Sequence, residues 1–375
     1  MAIDVLEIRD SSRELIGVID TAKSVIWHSV YFGIGDFEIY AQLTPQHLAF
    51  LEIGNYVTRS DNDEVGIIEE INVSYSVQDG YMITASGRFA KSILDRRLIY
   101  KLSDHTNTPT ILNGSVEIAA RRLVLDNAID CSFDSRRNID VLGLGALANL
   151  PAIIVDGNGN AAQKQVSYQP LMSYTDEFLQ EYGYAAKVIL NASNKKLLYV
   201  VFSGTDRSTE NTDGNAPVIF STEYENLTSS DYSYNAQNAR NAVLIGGEGE
   251  GLERFYSLLT AGKTGLQLRE MWFDASSINK TYTDSNDEEQ SYTDAEYKSM
   301  LDQAGKKQLA ALPAPETFTG EINASFGNWI FGRDFFLGDL VTLQDNAINK
   351  YATVRIMEAT EVQDENGYSV DVVYS

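Results

Sequence analysis

Apolar and polar positions alternate with a period of two near both ends of the chain, and that pattern predicts strands. Residues 25–43, "VIWHSVYFGIGDFEIYAQL", are rich in β-branched and aromatic side chains and break at Gly33–Gly35, which predicts two strands and a turn. "GNYVTRSDN" follows at 54–62, giving a glycine turn, a strand beginning at Val57 and Thr58, and a second turn at Asp61-Asn62. Ile71, Val73, Tyr75 and Val77 then alternate, Asp79-Gly80 signals a tight turn, and Tyr81, Ile83 and Ala85 alternate on the way back. One face of such a hairpin is buried and the other is wet.

The far end of the chain repeats the phrase. "GDLVTLQDN" at 338–346 matches "GNYVTRSDN" in five of nine positions. Its sequel also matches: Val354 and Ile356 alternate, Asn366-Gly367 gives a second tight-turn signal, and Val370, Val372 and Tyr374 alternate after it. Even the residue after each hairpin glycine is tyrosine, Tyr81 and Tyr368. Local identity together with a common order predicts two related small β-barrel modules, one at each end.

The middle of the chain changes period. Val116, Ala119, Ala120, Leu123 and Val124 form a helical stripe within 114–128, with Ser115 as its cap. Residues 174–183 predict a short helix capped by Thr175 and closed by Gly183, and 185–204 predict a hairpin with Asn194 and Lys195 near its tip. Residues 217–220 and 239–260 return to strand patterns. Residues 279–292 are polar and acidic and read as a loop. Thr293 and Glu296 form a capping-box pair that opens a helix to about Leu312, where "LPAP" stops it. The expected class is mainly β with α+β insertions. The expected domains are a barrel over 1–105, an α+β lobe over 106–215, and a second barrel over 216–375 carrying a loop-helix insertion at about 262–315.

Composition narrows the function. At 375 residues the chain is long enough for two to four domains, and 43% apolar residues supply their cores. A net charge of -24 denies the chain as a whole the cations that neutralise nucleic-acid phosphates. Residues 86–140 are locally basic, with nine Lys/Arg against seven acids, and read as surface arginines paired with nearby carboxylates. The first twenty residues lack the basic lead and apolar run of an export signal, so maturation in the cytosol is expected. No apolar run approaches the roughly 20 residues of a membrane span. A lone Cys131 forms no disulfide within the chain and reads as buried.

Candidate chemistry is sparse. "GGEGEG" at 246–251 fits neither a dinucleotide fingerprint nor a Walker loop, and Glu248 and Glu250 would repel phosphate; it reads as a glycine-rich turn between strands. His28, His47 and His105 have no metal-ligand spacing, and His28 reads as a packed or satisfied surface residue. Oxygen-rich stretches at 156–160 and 206–215 lack the spaced acids of a calcium loop and read as turns. Glycoside hydrolysis needs only two carboxylates about 5–10 Å apart, and 53 acids leave that chemistry open. No residue is assigned a catalytic, cofactor-binding or metal-binding role.

Three segments carry a family resemblance: "GRFAKSILDRRLI" at 87–99, "TEYENLTSSDYSYNAQNARNAVLIGGEGEG" at 222–251 and "FGRDFFLGDLVTLQD" at 331–345. In this order they resemble the tail-tip or baseplate hub proteins of long-tailed phages (siphoviruses) and prophages, which are related to the N-terminal structural part of tail-associated lysins. The resemblance implies a non-enzymatic virion protein, assembled in the host cytoplasm and positioned at the tail tip. It implies a homotrimer with two tail-tube-like barrels per chain, so that six barrels form a ring between a sixfold tube and a threefold tip. Implied partners are the distal tail protein, the tape-measure protein and a tip, fibre or receptor-binding protein. DNA would pass through the lumen without specific binding, aided by the acidic charge. The two Gly-initiated strands and Glu223–Asn241, with Tyr224, Tyr232 and Tyr234, are the candidate interface segments. The chain ends directly after the hairpin strand, so lytic activity is expected on a partner. The competing expectation is a carbohydrate-directed cell-wall hydrolase or a receptor-binding module of the tail tip.

Overall fold

The computed structural model of the chain describes residues 3, 5–155, 160–283, 289–312, 316–324 and 329–375. The fold is mainly β, and the chain divides into two compact units, Met1–Ser229 with Gly320–Ser375, and Ser230–Thr319.

In the first unit the two repeats fold alike in detail. Gly54 and Gly338 both take the left-handed backbone that favours glycine, with φ of 88° and 89°. Gly54 N–H donates to Ile68 O and Ile68 N–H to Asn55 O; Gly338 N–H donates to Ile356 O and Ile356 N–H to Asp339 O. Strand Tyr56–Thr58 pairs with Val65–Ile67, and strand Leu340–Asp345 pairs with the first part of Lys350–Asp364. Each repeat then closes with the expected hairpin, Glu70–Ser76 with Gly80–Arg88 and the rest of Lys350–Asp364 with Gly367–Tyr374. The copies differ in continuity. The first splits its middle strand between two sheets, while the second keeps one strand of 15 residues.

The repeats also share a sheet. Among the described residues, eight strands run in the order Ile219–Ser221, Leu340–Asp345, Lys350–Asp364, Ala22–Val30, Asp36–Gln42, Gly80–Arg88, Glu70–Ser76, with Gly367–Tyr374 also on Lys350–Asp364. The join is antiparallel, from Glu358 opposite Val30 to Gln363 opposite Val25. Beneath it lies a core of Trp27, Phe37, Ile39, Ile83 and Phe89, against which Tyr368 of the second repeat packs. The adjoining α+β portion builds its own core from helices Val116–Val124 and Leu171–Gln180 and the hairpin Ala185–Asn191 with Lys196–Phe202.

One buried group crosses the join. Arg59 donates from Nη1 and Nη2 to Glu361 at 2.9 and 3.0 Å, and from Nε and Nη2 to Asp61 at 2.9 and 2.7 Å. Its guanidinium lies 5.3 Å from the centre of the Trp27 ring. Tyr368 Oη donates to Glu361 at 2.7 Å, and burial beside that carboxylate pushes the Tyr368 phenol far up. The corresponding residue of the second phrase is Leu343, which is fully buried.

Two expectations are corrected. Thr175 does not cap its helix; the helix begins at Leu171 after Pro170, and the buried Thr175 hydroxyl donates back to Leu171 O at 2.6 Å. The 279–292 segment is not wholly loop: Thr281–Thr283 pairs with Glu289–Ser291, while 284–288 lie outside the described residues. Gly183 closes its helix, Ser115 caps its own, and the Thr293–Glu296 capping box opens Asp294–Ala310, all as expected.

The second unit is a small sheet with central strand Ala242–Gly246, antiparallel to Tyr256–Thr260 and parallel to Glu270–Asp274. Helix Asp294–Ala310 lays Tyr297 and Leu301 on Val243 and Ile245. "GGEGEG" is the turn leaving the central strand, with φ of 98° at Gly249.

Removing one partner of a buried ion pair leaves an uncompensated charge. Arg59→Leu, which copies the second repeat, is therefore expected to cost about 3–5 kcal/mol in urea unfolding. The double variant R59L/E361L should recover most of that loss.

Candidate assembly interface

Strand Glu70–Ser76 has Gly80–Arg88 as its one strand neighbour among the described residues, so its outer edge of N–H and C=O groups is open. One face of this hairpin carries Val73, Tyr75, Val77 and Tyr81, all exposed, with Tyr75 at 63% and Val77 at 93%. The Tyr75 and Tyr81 rings pack across the strand pair with centroids 4.8 Å apart and planes inclined at 45°. At the other repeat, Gly367–Tyr374 pairs with Lys350–Asp364 alone among the described residues, and Val373 is exposed. Glu70–Ser76 and Gly367–Tyr374, one from each repeat, thus have a single strand neighbour each among the described residues.

The candidate interface segments fall out unequally. Tyr56–Thr58 is wholly buried and Leu340–Asp345 largely so, which corrects the expectation that the Gly-initiated strands form a surface. They carry the pattern Tyr-Val-Thr or Leu-Val-Thr because both sides of the strand face packed neighbours. Most of Glu223–Asn241 is exposed, including Tyr224, Tyr232 and Tyr234. The open hairpin edge was not singled out in the sequence, although the alternation of Val73, Tyr75 and Val77 was its signal.

The join itself holds a charged cavity of about 560 Å³, lined by Asp61, Asp63, Glu64, Lys187 and Asp339. Glu64 accepts from the buried Ser29 hydroxyl at 2.6 Å. The nearby cations are already engaged, Lys187 with Asp63 at 2.7 Å and Lys91 with Asp176 at 2.9 Å. Burial therefore dominates and pushes the Glu64 carboxyl up to about 7, against partial relief from Ser29 and Lys187. A protonated acid beside ionised carboxylates is the electrostatic pattern of an acid–base pair. Here, however, Asp61 is bound by Arg59, Asp63 by Lys187, and Asp339 by Arg207 and the Thr205 and Phe336 amides. Each of these three carboxylates is thus engaged in a structural contact.

The remaining candidates resolve as local structure. His28 bridges Asp36 at 3.3 Å and Glu358 at 3.2 Å, a second polar link between the repeats. His47 sits in the first turn after Thr44 with its Nδ1 on Gln42 O. In the 206–215 loop, Asn211 and Asn215 spend their amides on each other and on Ser208 and Asp206. The 156–160 stretch lies outside the described residues except Asn160. Cys131 is buried, and its thiol is pushed up by that burial. Among the described residues no group of three or more His, Cys, Asp or Glu is placed to hold a metal, and no helix is long and apolar enough to cross a membrane. Of the arginines in 86–140, Arg88, Arg122 and Arg136 pair with Glu69, Asp126 and Asp134 as expected, whereas Arg97, Arg121 and Arg137 donate to backbone carbonyls and Arg137 is buried.

A family model described as "Siphovirus ReqiPepy6 Gp37-like protein" matches residues 5–374. No curated protein matches the sequence. Among solved structures, the tail protein from Neisseria meningitidis MC58 aligns with a TM-score of 0.54 at 14% identity, covering 98% of this chain and 95% of that one. The 43 kDa tail protein of prophage MuSo2 from Shewanella oneidensis aligns with a TM-score of 0.53 at 10% identity, covering 99% and 98%. At these identities the likeness is one of fold.

Glu64 holds its proton to higher pH in the folded chain than in the unfolded one, where it titrates near 4.5. Its contribution to stability is therefore intact at low pH and lost as pH rises through about 7, by about 3 kcal/mol in all. Melting curves should show Glu64→Gln more stable than the parent at pH 8, and no more stable at pH 4.5. Equal melting at pH 8 would contradict the assignment.

Proposed function

Because the chain belongs to the Siphovirus ReqiPepy6 Gp37-like family, we propose that this phage tail protein is a tail-tip hub built as a homotrimer. The reading takes the repeats as two tube-like barrel modules, over 1–105 and 216–375, flanking the 106–215 lobe, with the second module carrying the insertion at about 262–315. The observation that carries it is the terminal strand Glu70–Ser76, whose one strand neighbour among the described residues is Gly80–Arg88 and whose Val73, Tyr75 and neighbouring Tyr81 are exposed. One repeat has already joined the other inside the chain through Lys350–Asp364 and Ala22–Val30. A head-to-tail contact between the edge at Glu70–Ser76 and the edge at Gly367–Tyr374 of the next copy repeats the same kind of join between chains. Such a heterologous contact either closes into a ring or runs on as a filament. Closure at three copies gives six modules, which suits a sixfold tube on one side and a threefold tip on the other.

The ring joins the distal tail and tape-measure proteins to a tip, fibre or receptor-binding protein, and DNA passes through it. A net charge of -24 supports passage without adhesion, since carboxylates repel phosphates. Wall-degrading activity belongs to a partner on this reading. The exposed tyrosines of Glu223–Asn241 supply a polar surface for such neighbours.

Light scattering on the purified chain should give the mass of three copies. Val73→Lys together with Tyr75→Lys places cations on an edge strand, a device that blocks strand addition. This variant should run as a monomer with a melting temperature close to the parent's, because both side chains are exposed. A monomeric parent at high concentration, or a variant that keeps the trimer mass, would sink the proposal.

A further inference from the structure

The second unit contains a cavity of about 650 Å³ whose lining includes Arg240, Lys263 and Arg269 and neither Asp nor Glu. In a chain of net charge -24 that exclusion is unusual. The other cations of this unit with a carboxylate partner show the contrast: Arg254 pairs with Asp274, Lys280 with Asp294 and Lys298 with Asp302. Arg240 donates to Ala239 O at 2.9 Å and weakly to Gln237 O, and Arg269 donates to Ala236 O. Those bonds use a fraction of the five N–H donors on each guanidinium. Among the described residues Lys263 makes no hydrogen bond or ion pair.

Capping does not account for the three. The helix Asp294–Ala310 ends in the cavity wall at Leu309 and Ala310, and its terminal carbonyls would welcome cations. Yet none of the three donates to a carbonyl of residues 307–312. Nor is the cavity featureless beyond its charge. Asn241 fixes its floor, donating to Gln267 O at 2.7 Å and accepting from Arg269 N at 2.8 Å. The Gln267 side-chain amide is unbonded among the described residues and lines the same space, and the exposed ring of Tyr234 forms one side.

We propose that this cavity binds a segment of an anionic glycopolymer, a sugar or polyol chain carrying phosphate or carboxylate groups. The guanidinium forks take the anionic groups, the amide takes hydroxyls, and the tyrosine ring packs on the carbon skeleton. The volume lies in the range of small-ligand sites. A concave wall of one sign concentrates field at short range even on an acidic protein. DNA is disfavoured, since its deoxyribose-phosphate backbone lacks the free hydroxyls that the Gln267 amide would take. The proposal is independent of whether copies of the chain form a ring.

Isothermal titration of the full chain tests it, with glycerol-phosphate oligomers, oligogalacturonate, neutral maltohexaose and a short DNA strand as probes. Saturable binding of at least one of the first two is expected, distinguishing phosphate from carboxylate as the preferred group, with none of maltohexaose. Raising salt should weaken it. Lys263→Glu should lower the affinity tenfold or more; it breaks no bond, so a melting curve like the parent's confirms an intact fold. Arg240→Gln with Arg269→Gln should act in the same direction. Absence of saturable binding, equal binding of maltohexaose, tighter binding of DNA, or unchanged affinity in Lys263→Glu each overturns the proposal.

Discussion

The strand Lys350–Asp364 must lie beside Ala22–Val30, and the buried Arg59–Glu361 pair makes one register of that contact better than any other. Glu361 stands directly opposite Trp27, and the Arg59 guanidinium that stacks on Trp27 is the one that grips Glu361. Sliding the strand by one residue would turn Glu361 away from Arg59 and every alternate side chain with it. A buried ion pair is a poor source of net stability, because desolvating both charges offsets their attraction. Its contribution here is selectivity between registers. The partners are 302 residues apart, so the join forms only after most of the chain has been made and ordered.

That requirement explains how the repeats have come to differ. Position for position they keep the glycine turn, the two amide bonds that follow it and the hairpin. They part at Arg59 and Leu343. Leu343 faces only its own packed surroundings and stays apolar. Arg59 stands where the first repeat meets the second, and there a side chain must answer a carboxylate from the other repeat. The neighbouring charges follow the same logic. His28 meets Glu358 across the join, and the Asp63–Lys187 and Lys91–Asp176 pairs tie the first repeat to the α+β portion. Glu64 is left among them with a hydroxyl for a partner, which is why its carboxyl titrates so high.

Local signals in the sequence were enough for the hairpins, the Ser115 and Thr293 caps and the "GGEGEG" turn, because glycine placement and period-two alternation act within a few residues. Thr175 misled because a hydroxyl within a helix can bond the carbonyl one turn back as readily as it caps an end. The joining of the repeats in one sheet was not legible. Strand neighbours distant in the chain leave no local mark, and Arg59 in "VTRSDN" looks like any surface arginine until Glu361 is placed against it. The same holds for the interface. "YVT" and "LVT" read as strands, but whether both faces of a strand are covered depends on what packs from elsewhere. The anionic-ligand cavity gathers Arg240, Lys263 and Arg269 from separate turns, which in sequence are scattered cations in an acidic chain.

The internal join and the terminal strands differ in chemistry, and the difference bears on what each can select. Inside the chain the contact carries a buried charge pair whose partners lie in different repeats. The outer edges carry Tyr75, Tyr81 and Val373 in water, with polar side chains between them. An edge of that kind is soluble while alone and offers main-chain bonds to a matching strand when one arrives. A misplaced or delayed strand leaves the Arg59 guanidinium in the core without its carboxylate, so the inner contact selects one register, whereas the outer strand selects only for a matching face.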